Sequence, residues 1–285
     1  MTTLSLSRPG LPPDGLQQYV VWLDWDECRA WLTGELSAVE RALGLVALAP
    51  PWEPGHHWAL VGPTGEGKTN LAVQLLDMRK WVMALDPKGQ DETLELSGYL
   101  RVLDVPPRVR KFGPLQVTSQ IWPRDIQRRL DDELPVKLIV GGPSSTDAED
   151  EALRALMAKA VAHARAAGGW TLYVDEFEVV SSQRQFRLGP QVEKMLITAR
   201  RAGTTVMTSY QAQAWVSKHA TRQATFIVVF PTRDEDMIQS VARATGRNWK
   251  MLMQIVYALP PFHVAIVPKG HRYPVIITTA PDLAA

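Results

Sequence analysis

Residues 62–69 match the pattern G-x-x-x-x-G-K-[ST] at every fixed position, with lysine at 68 and threonine at 69. Glycines let the backbone curl with its N–H groups pointing inward, and the start of a following helix adds about half a positive charge. The segment predicts a loop that binds the phosphates of ATP. Lys68 is predicted to act in catalysis at the β- and γ-phosphates, and the Thr69 hydroxyl to hold Mg²⁺. The predicted binding residues are Gly62, Pro63, Thr64, Gly65, Glu66, Gly67, Lys68, Thr69 and Asn70.

Two adjacent acids follow a second apolar stretch, Thr171–Val174. Asp175 is predicted to order Mg²⁺ through its water shell, and Glu176 to orient and polarise an attacking water. A water-activating carboxylate beside the metal acid favours hydrolysis over transfer of the phosphoryl group to another acceptor. The alternative is an exposed acidic strand end without a ligand.

A polar amide ends a third stretch, residues 204–211. If the strand of this stretch lies next to the acid-bearing strand, Gln211 lies between the two acids and the γ-phosphate and can sense that phosphate. An ordinary solvated glutamine in a loop is the alternative.

The elements that must position these residues alternate between strand and helix. Such alternation predicts an α/β fold of the P-loop NTPase type, with a mostly parallel sheet covered by helices on both faces. We expect one extra strand between the phosphate-loop strand and the acidic strand. The predicted strands are residues 57–61, 81–85, 100–105, 138–140, 171–174, 204–208, 225–230, 264–267 and 275–279. The main predicted helices are residues 68–78, 147–167, 190–202 and 234–244.

The N-terminal part of the chain breaks this rhythm. Residues 1–18 are predicted to form an extended arm, and residues 20–48 to be helical, with a capping box at 37–40 opening a second helix. The proline-rich stretch 49–55 predicts a boundary between a small helical appendage, residues 1–54, and the main P-loop domain, residues 55–285.

The composition bears on nucleic-acid binding, on disulfides and on membrane insertion. The 285 residues carry 31 Lys and Arg against 30 Asp and Glu, so binding to nucleic acid would need a local basic patch. The single cysteine, Cys28, cannot form an internal disulfide, and no apolar run approaches the ~20 residues that span a bilayer. We therefore expect a soluble, cytoplasmic protein with no membrane segment of its own.

From residue 58 to about residue 281 the chain resembles the motor domain of the FtsK/HerA superfamily of P-loop ATPases. The likeness is carried by an ordered set of short motifs, which is more specific than the phosphate loop alone. These are Ala-Leu-Asp-Pro-Lys-Gly at 84–89, Val-Asp-Glu-Phe at 174–177, Thr-Ala-Arg-Arg-Ala-Gly at 198–203 and Ser-Tyr-Gln at 209–211. The resemblance implies a ring, expected to be a hexamer, that hydrolyses ATP with Mg²⁺ and pumps double-stranded DNA, which is expected to stimulate the hydrolysis.

The resemblance also implies a residue that acts across subunits. Arg200 is the first candidate for an arginine finger supplied to the neighbouring subunit. Arg201 and Arg222 are the alternatives, and a surface arginine that caps its own helix is a third interpretation.

Two segments are candidates for contact with DNA phosphates. Residues 181–189 contain Arg184 and Arg187 and no acid, although this segment can also be a plain connector. Residues 101–130 carry seven Arg and Lys against two Asp, and can equally be a solvated loop or a subunit contact.

Two functions of other classes stay open at this point. One is a P-loop ATPase that drives protein secretion or filamentous-phage assembly. The other is an ATP-binding switch that regulates a partner without doing mechanical work. For a DNA motor, the expected settings are genome packaging and the transfer or segregation of plasmids and mobile elements.

Overall fold

The computed structural model describes residues 16, 19–35, 48–89, 92–102, 122–183, 185–211 and 218–279. Its strands are β1 (Val20–Trp22), β2 (His57–Val61), β3 (Trp81–Leu85), β4 (Leu100–Val102), β5 (Val136–Val140), β6 (Thr171–Val174), β7 (Thr205–Tyr210), β8 (Ala224–Val229), β9 (His263–Pro268) and β10 (Val275–Thr279).

The strands form one ten-stranded sheet in the order β1-β10-β9-β8-β2-β7-β6-β3-β5-β4. Strand β9 runs antiparallel to both of its neighbours, and the other described pairs are parallel. The predicted mostly parallel α/β sheet is therefore confirmed. Strand β7 lies between β2, which leads into the phosphate loop, and β6, which leads into the acids, as predicted.

Helices connect the strands within these described ranges. They are α1 (Trp25–Thr33), α2 (Lys68–Leu76), α3 (Glu92–Leu96), α4 (Arg124–Asp131), α5 (Asp147–Ala167), α6 (Phe177–Ser181), α7 (Gly189–Thr198), α8 (Lys218–Gln223), α9 (Glu235–Thr245) and α10 (Trp249–Tyr257). A 3₁₀-helix, Ala199–Ala202, continues α7, so the predicted helix 190–202 changes its geometry at Ala199.

Both faces of the sheet are buried. In β2, Ala59 and Val61 join one hydrophobic cluster, which contains residues of α5, α7, α9 and α10. Trp58 and Leu60 point the other way, into a second cluster with residues of α1 and α2. This alternation explains why β2 is apolar from Trp58 to Val61, as expected for a central parallel strand. Helices therefore cover both faces, as predicted.

The N-terminal segment 20–33 is integrated with this sheet. Strand β1 pairs with β10, and Trp31 of α1 is buried and donates its indole N–H to the Ala49 carbonyl at 2.8 Å. The prediction of helix for residues 20–22 is wrong. The division at residue 54/55 stays a prediction, and the contacts of residues 20–33 give no support to a separately folded appendage. Residues 1–15 of the predicted arm and the predicted capping box at 37–40 lie outside the described residues.

Candidate active site

A cleft of about 300 Å³ opens where β2, β6 and β7 end. The carboxyl ends of parallel strands are the usual place for a ligand in an open α/β sheet. Lys68, Asp175, Glu176 and Gln211 all line this cleft. The residues predicted from three distant parts of the sequence are therefore brought together. The other residues around the cleft are Thr64, Gly65, Gly67, Thr69, Asn70, Thr93, Ser209 and Tyr210.

The loop from Gly62 to Gly67 has the backbone that an anion nest requires. Gly65 and Gly67 have φ values of 83° and 81°, in the left-handed region that glycine adopts most easily. A Cβ at either position would meet no atom within 4 Å, so conformation and not space demands glycine there. Gly62 is different, because a Cβ at this position would lie 2.5 Å from Cβ of Phe230, the residue that follows β8.

Lys68 begins α2 and turns its side chain back over the loop. Its Nζ donates to the carbonyl oxygens of Gly62 at 2.9 Å and Pro63 at 2.6 Å. Burial lowers the pKa of Lys68, and the charges of Asp175, Glu178, Glu176 and Glu66 act in the opposite direction. The ammonium group is thus held within the electrostatic field of the acids that follow β6.

Asp175 and Glu176 occupy different environments although they are adjacent. The Tyr173 hydroxyl donates to Oδ1 of Asp175 at 2.8 Å, which orients that carboxylate from within β6. Glu176 has a φ of 44°, a strained value for a side-chain-bearing residue, at the turn into α6. Its Oε1 forms an ion pair with Nζ of Lys88, and its Oε2 is buried without a hydrogen bond to any described residue.

Gln211 follows directly after β7, and its backbone N–H donates to Oε1 of Glu178 at 3.1 Å. Burial raises the pKa of Glu178. Its Oε2, like that of Glu176, is buried and makes no hydrogen bond within the described part of the chain. A third carboxylate is thus close enough to interact electrostatically with Glu176 and Lys68.

Glu178 and Lys88 are polar residues of this site to which sequence reasoning assigned no role. Both had a signal in the sequence. Glu178 belongs to the same acidic run as Glu176, and Lys88 lies in the Asp-Pro-Lys-Gly motif after β3. Because β3 and β6 are parallel neighbours, their carboxyl ends lie side by side.

Arg200 lies at the opposite end of the central strands from the cleft, where β7 and β8 begin. It belongs to the 3₁₀-helix that precedes β7, and its Nη2 donates to the Thr225 hydroxyl at 3.3 Å, near the start of β8. Arg201 and Arg222 also precede the starts of β7 and β8. None of these three arginines is among the residues that line the cleft of their own chain.

The residues present fit Mg²⁺ bound together with a nucleotide. No group of three or more His, Cys, Asp or Glu forms a metal cluster among the residues that the structure describes. Magnesium on a triphosphate needs only one or two protein ligands, because water and phosphate oxygens complete its shell. The Thr69 hydroxyl and the Asp175 carboxylate are hard oxygen donors on the same cleft.

The segments considered for DNA contact are described only in part. Arg187 is exposed and donates to the Gln183 carbonyl, whereas Arg184 lies outside the described residues. Within 101–130, residues 103–121 are not described. Arg101 is engaged inside the protein, where it forms ion pairs with Asp86 and Glu95 and donates to the Gly141 carbonyl.

Comparison with solved structures finds the same fold in proteins of low sequence identity. The genome packaging NTPase B204 from Sulfolobus turreted icosahedral virus 2, in complex with ATP-gammaS, is 19% identical with a TM-score of 0.51, over 81% of this chain and 99% of that chain. VirB4 of Thermoanaerobacter pseudethanolicus is 12% identical with a TM-score of 0.53, over 80% of this chain and 90% of that chain. No family model and no curated protein sequence matches the chain.

Among the helices that the structure describes, none has the length and apolar character needed to cross a bilayer. The strand order of the sheet and the left-handed glycines of the phosphate loop both indicate the same fold. The chain has the α/β fold of the P-loop NTPases, as the sequence predicts, and shares this fold with the B204 and VirB4 structures.

Proposed function

We propose that this protein is an Mg²⁺-dependent ATPase that assembles into a ring and moves double-stranded DNA. The observation that carries the proposal is the shared cleft of Lys68, Asp175, Glu176 and Gln211. Hydrolysis of a nucleoside triphosphate requires four groups around one phosphate loop. These are a cation, an acid that binds the metal, a second acid and an amide.

In the proposed reaction, backbone N–H groups of residues 64–69 bind the β-phosphate, and Lys68 exchanges its two loop carbonyls for phosphate oxygens. Thr69 and Asp175 would hold Mg²⁺, which would supply positive charge to neutralise the phosphate oxygens. Glu176 orients a water and accepts its proton while the water oxygen bonds to the γ-phosphorus. The bond from this phosphorus to the bridging oxygen breaks, which leaves ADP and phosphate. Gln211, which lines the same cleft as both acids, changes its contacts when the γ-phosphate leaves.

Replacement of Glu176 by glutamine tests the chemistry. The amide keeps the shape of the side chain but cannot accept the proton, so we expect ATP binding to persist and turnover to fall by about 10²–10⁴-fold. Phosphate release and equilibrium binding of ATP measure the two properties. Glu235→Gln, an exposed acid at the start of α9, is the matched control and should hydrolyse ATP normally. Normal turnover in Glu176→Gln would refute the assignment.

The DNA-motor part of the proposal draws support from the fold shared with a genome packaging NTPase and with VirB4. Genome packaging, or transfer or segregation of a plasmid or mobile element, is the process that we propose. The test is the ATPase rate as a function of protein concentration, with and without linear duplex DNA. We expect the rate per chain to rise with concentration and with DNA, and the DNA effect to fall as salt is added.

Other results of the same measurement point to the alternative functions. Hydrolysis that depends on protein concentration but not on DNA at any salt concentration would indicate a motor that moves protein. Negligible hydrolysis at every protein concentration would indicate an ATP-binding switch. Either result contradicts the proposed DNA motor.

A further inference from the structure

A second pocket, of about 340 Å³, adjoins the phosphate loop at Pro63. Its walls come from three segments: Pro63 of the loop itself, residues 231–233 after β8, and the end of α10 with Leu259. Pro63 lines this pocket and the next residue, Thr64, lines the phosphate cleft. The two cavities thus adjoin the same turn of the backbone.

The order of the strands fixes which end of a nucleotide faces this pocket. Strands β7 and β6, which lead into Gln211 and the acids, lie on one side of β2, and β8 lies on the other. In a G-x-x-x-x-G-K-[ST] loop the lysine reaches the β- and γ-phosphates, so the terminal phosphate points toward the acids. The α-phosphate and the nucleoside attached to it must then leave toward β8 and the second pocket.

The surfaces of the pocket suit a flat aromatic ring. The guanidinium carbon of Arg233 lies 4.3 Å from the ring centroid of Tyr257, and the Tyr257 hydroxyl donates to the Arg233 carbonyl at 3.4 Å. A guanidinium plane stacked on an aromatic ring is a surface on which nucleobases stack. Pro63, Pro231 and Leu259 add apolar walls.

One polar group is also available in the pocket. The Thr232 hydroxyl oxygen accepts from the backbone N–H of Asp234 at 3.1 Å, which leaves its hydrogen free to be donated. None of the residues lining the pocket is acidic. The site thus offers hydrogen-bond donors, stacking and apolar contact, which match the acceptor nitrogens and the faces of a purine.

We propose that this pocket binds the purine ring of the nucleotide, stacked against the Arg233–Tyr257 pair, and so determines the affinity for ATP. The inference rests on the proposed function, because it takes the position of the phosphates from the loop at Lys68. The experiment must therefore separate binding of the base from binding of the phosphates.

The test compares the dissociation constants of ATP and of inorganic tripolyphosphate, both with Mg²⁺, by titration calorimetry. Arg233→Ala should weaken ATP binding about 5- to 100-fold, the range expected for loss of a stacked base, and leave tripolyphosphate binding unchanged. Tyr257→Leu, which keeps an apolar side chain on this half-buried position, should have the same effect. Circular dichroism establishes that both variants are folded.

Two controls make the result specific. Arg272 also stacks on a tyrosine, with its guanidinium carbon 4.7 Å from the ring centroid of Tyr273, so Arg272→Ala should bind ATP like the wild type. Lys68→Ala should lose both ligands, because it removes a phosphate contact. If Lys68→Ala binds both ligands normally, the phosphate site and with it the proposed function are wrong. If Lys68→Ala behaves as expected but Arg233→Ala and Tyr257→Leu bind ATP like the wild type, the base lies elsewhere.

Discussion

At the scale of single residues, the ion pair between Lys88 and Glu176 connects two motifs that are far apart in sequence. Hydrogen bonding to Glu176 raises the pKa of Lys88, so the Lys88 ammonium group is charged at neutral pH. Glu176 is largely shielded from solvent, whereas 65% of the Lys88 side chain is exposed. Exposed ion pairs contribute at most about 1 kcal/mol. We therefore interpret Lys88 as a positioning residue that orients the carboxylate, and not as a group that contacts the phosphates.

Lys88→Ala should lower kcat for ATP hydrolysis about 2- to 5-fold and leave the KM unchanged, because about 1 kcal/mol corresponds to roughly a factor of five in rate. Lys88→Arg should restore most of the activity, since arginine keeps the positive charge. Steady-state kinetics of the two variants measure this. A raised KM with normal kcat would contradict positioning and would indicate direct binding of the nucleotide by Lys88.

Individual functional residues differ in how well the sequence alone identifies them. Lys68 is identifiable because its chemistry demands both a residue type and a fixed spacing within one loop. Glu178 and Lys88 are harder, because their importance depends on which way a side chain points after folding. Arg200 is hardest, since the proposed role depends on a neighbouring subunit, and nothing within one chain tests it.

At the scale of elements, the side chain of His57 connects β2 to strand β7 and helix α7. The Val206 N–H of β7 donates to Nδ1 of His57 at 3.0 Å, so Nε2 carries the hydrogen and donates to the Leu196 carbonyl of α7 at 3.0 Å. The ring is 2% exposed, and burial lowers its pKa from 6.5 to about 4. The fold thus requires a neutral imidazole at this position.

Stability should therefore fall in mild acid. Between pH 6.5 and about 4 the unfolded chain protonates His57 and the folded chain does not, so the free energy of unfolding decreases as the pH falls through this range. The contribution from His57 is on the order of 3 kcal/mol and is fully lost below the lower pKa.

Urea unfolding at pH 7.5 and 4.5, for wild type and His57→Gln, measures this contribution. The variant should be less stable at pH 7.5 but lose less stability on acidification, because glutamine does not titrate. Equal losses in the two proteins would show that His57 is not the cause.

The sequence predicted the central elements of the sheet better than its margins. Strands such as β2 and β6 are mostly apolar and are followed by glycines or acids, which are strong local signals. The three residues of β1 were predicted to be helical. They form an edge strand only because they pair with β10, which lies far along the chain, and a local sequence pattern does not show such a partner. Helix α10 was not predicted, although Asn248 caps its start through bonds to the N–H groups of Lys250 and Met251.

At the scale of the whole molecule, the cleft and Arg200 lie at opposite ends of the central strands of one sheet. Among the described ion pairs none involves Arg200. The pKa of Lys269 is lowered by burial first and then by the charge of Arg200. Ile197, on the same segment, is 56% exposed. In the proposed ring, the segment that carries Arg200 and Ile197 contacts the acidic cleft of the next subunit. Such a head-to-tail contact forms a ring when the rotation between neighbouring subunits closes. The fold is therefore compatible with the proposed arginine supplied between subunits.

Mixing two inactive variants tests this arrangement directly. Arg200→Ala retains a complete cleft, and Glu176→Gln retains the arginine, so each alone should hydrolyse ATP slowly. Suppose that the two variants are mixed in equal amounts and assemble at random. About one interface in four then joins a subunit with an intact Arg200 to a subunit with an intact cleft. The ATPase rate of the mixture should therefore exceed the mean of the two separate rates.

A mixture of Lys68→Ala with Glu176→Gln is the matched control for this experiment. Both of its lesions lie in the cleft, so no arrangement of subunits restores a complete site and no gain in rate is expected. If Arg200→Ala alone is as active as the wild type, the arginine finger is another residue, with Arg201 and Arg222 the next to be replaced. If Arg200→Ala is inactive and mixing gives no gain, Arg200 acts within its own chain, and the head-to-tail ring loses its main support.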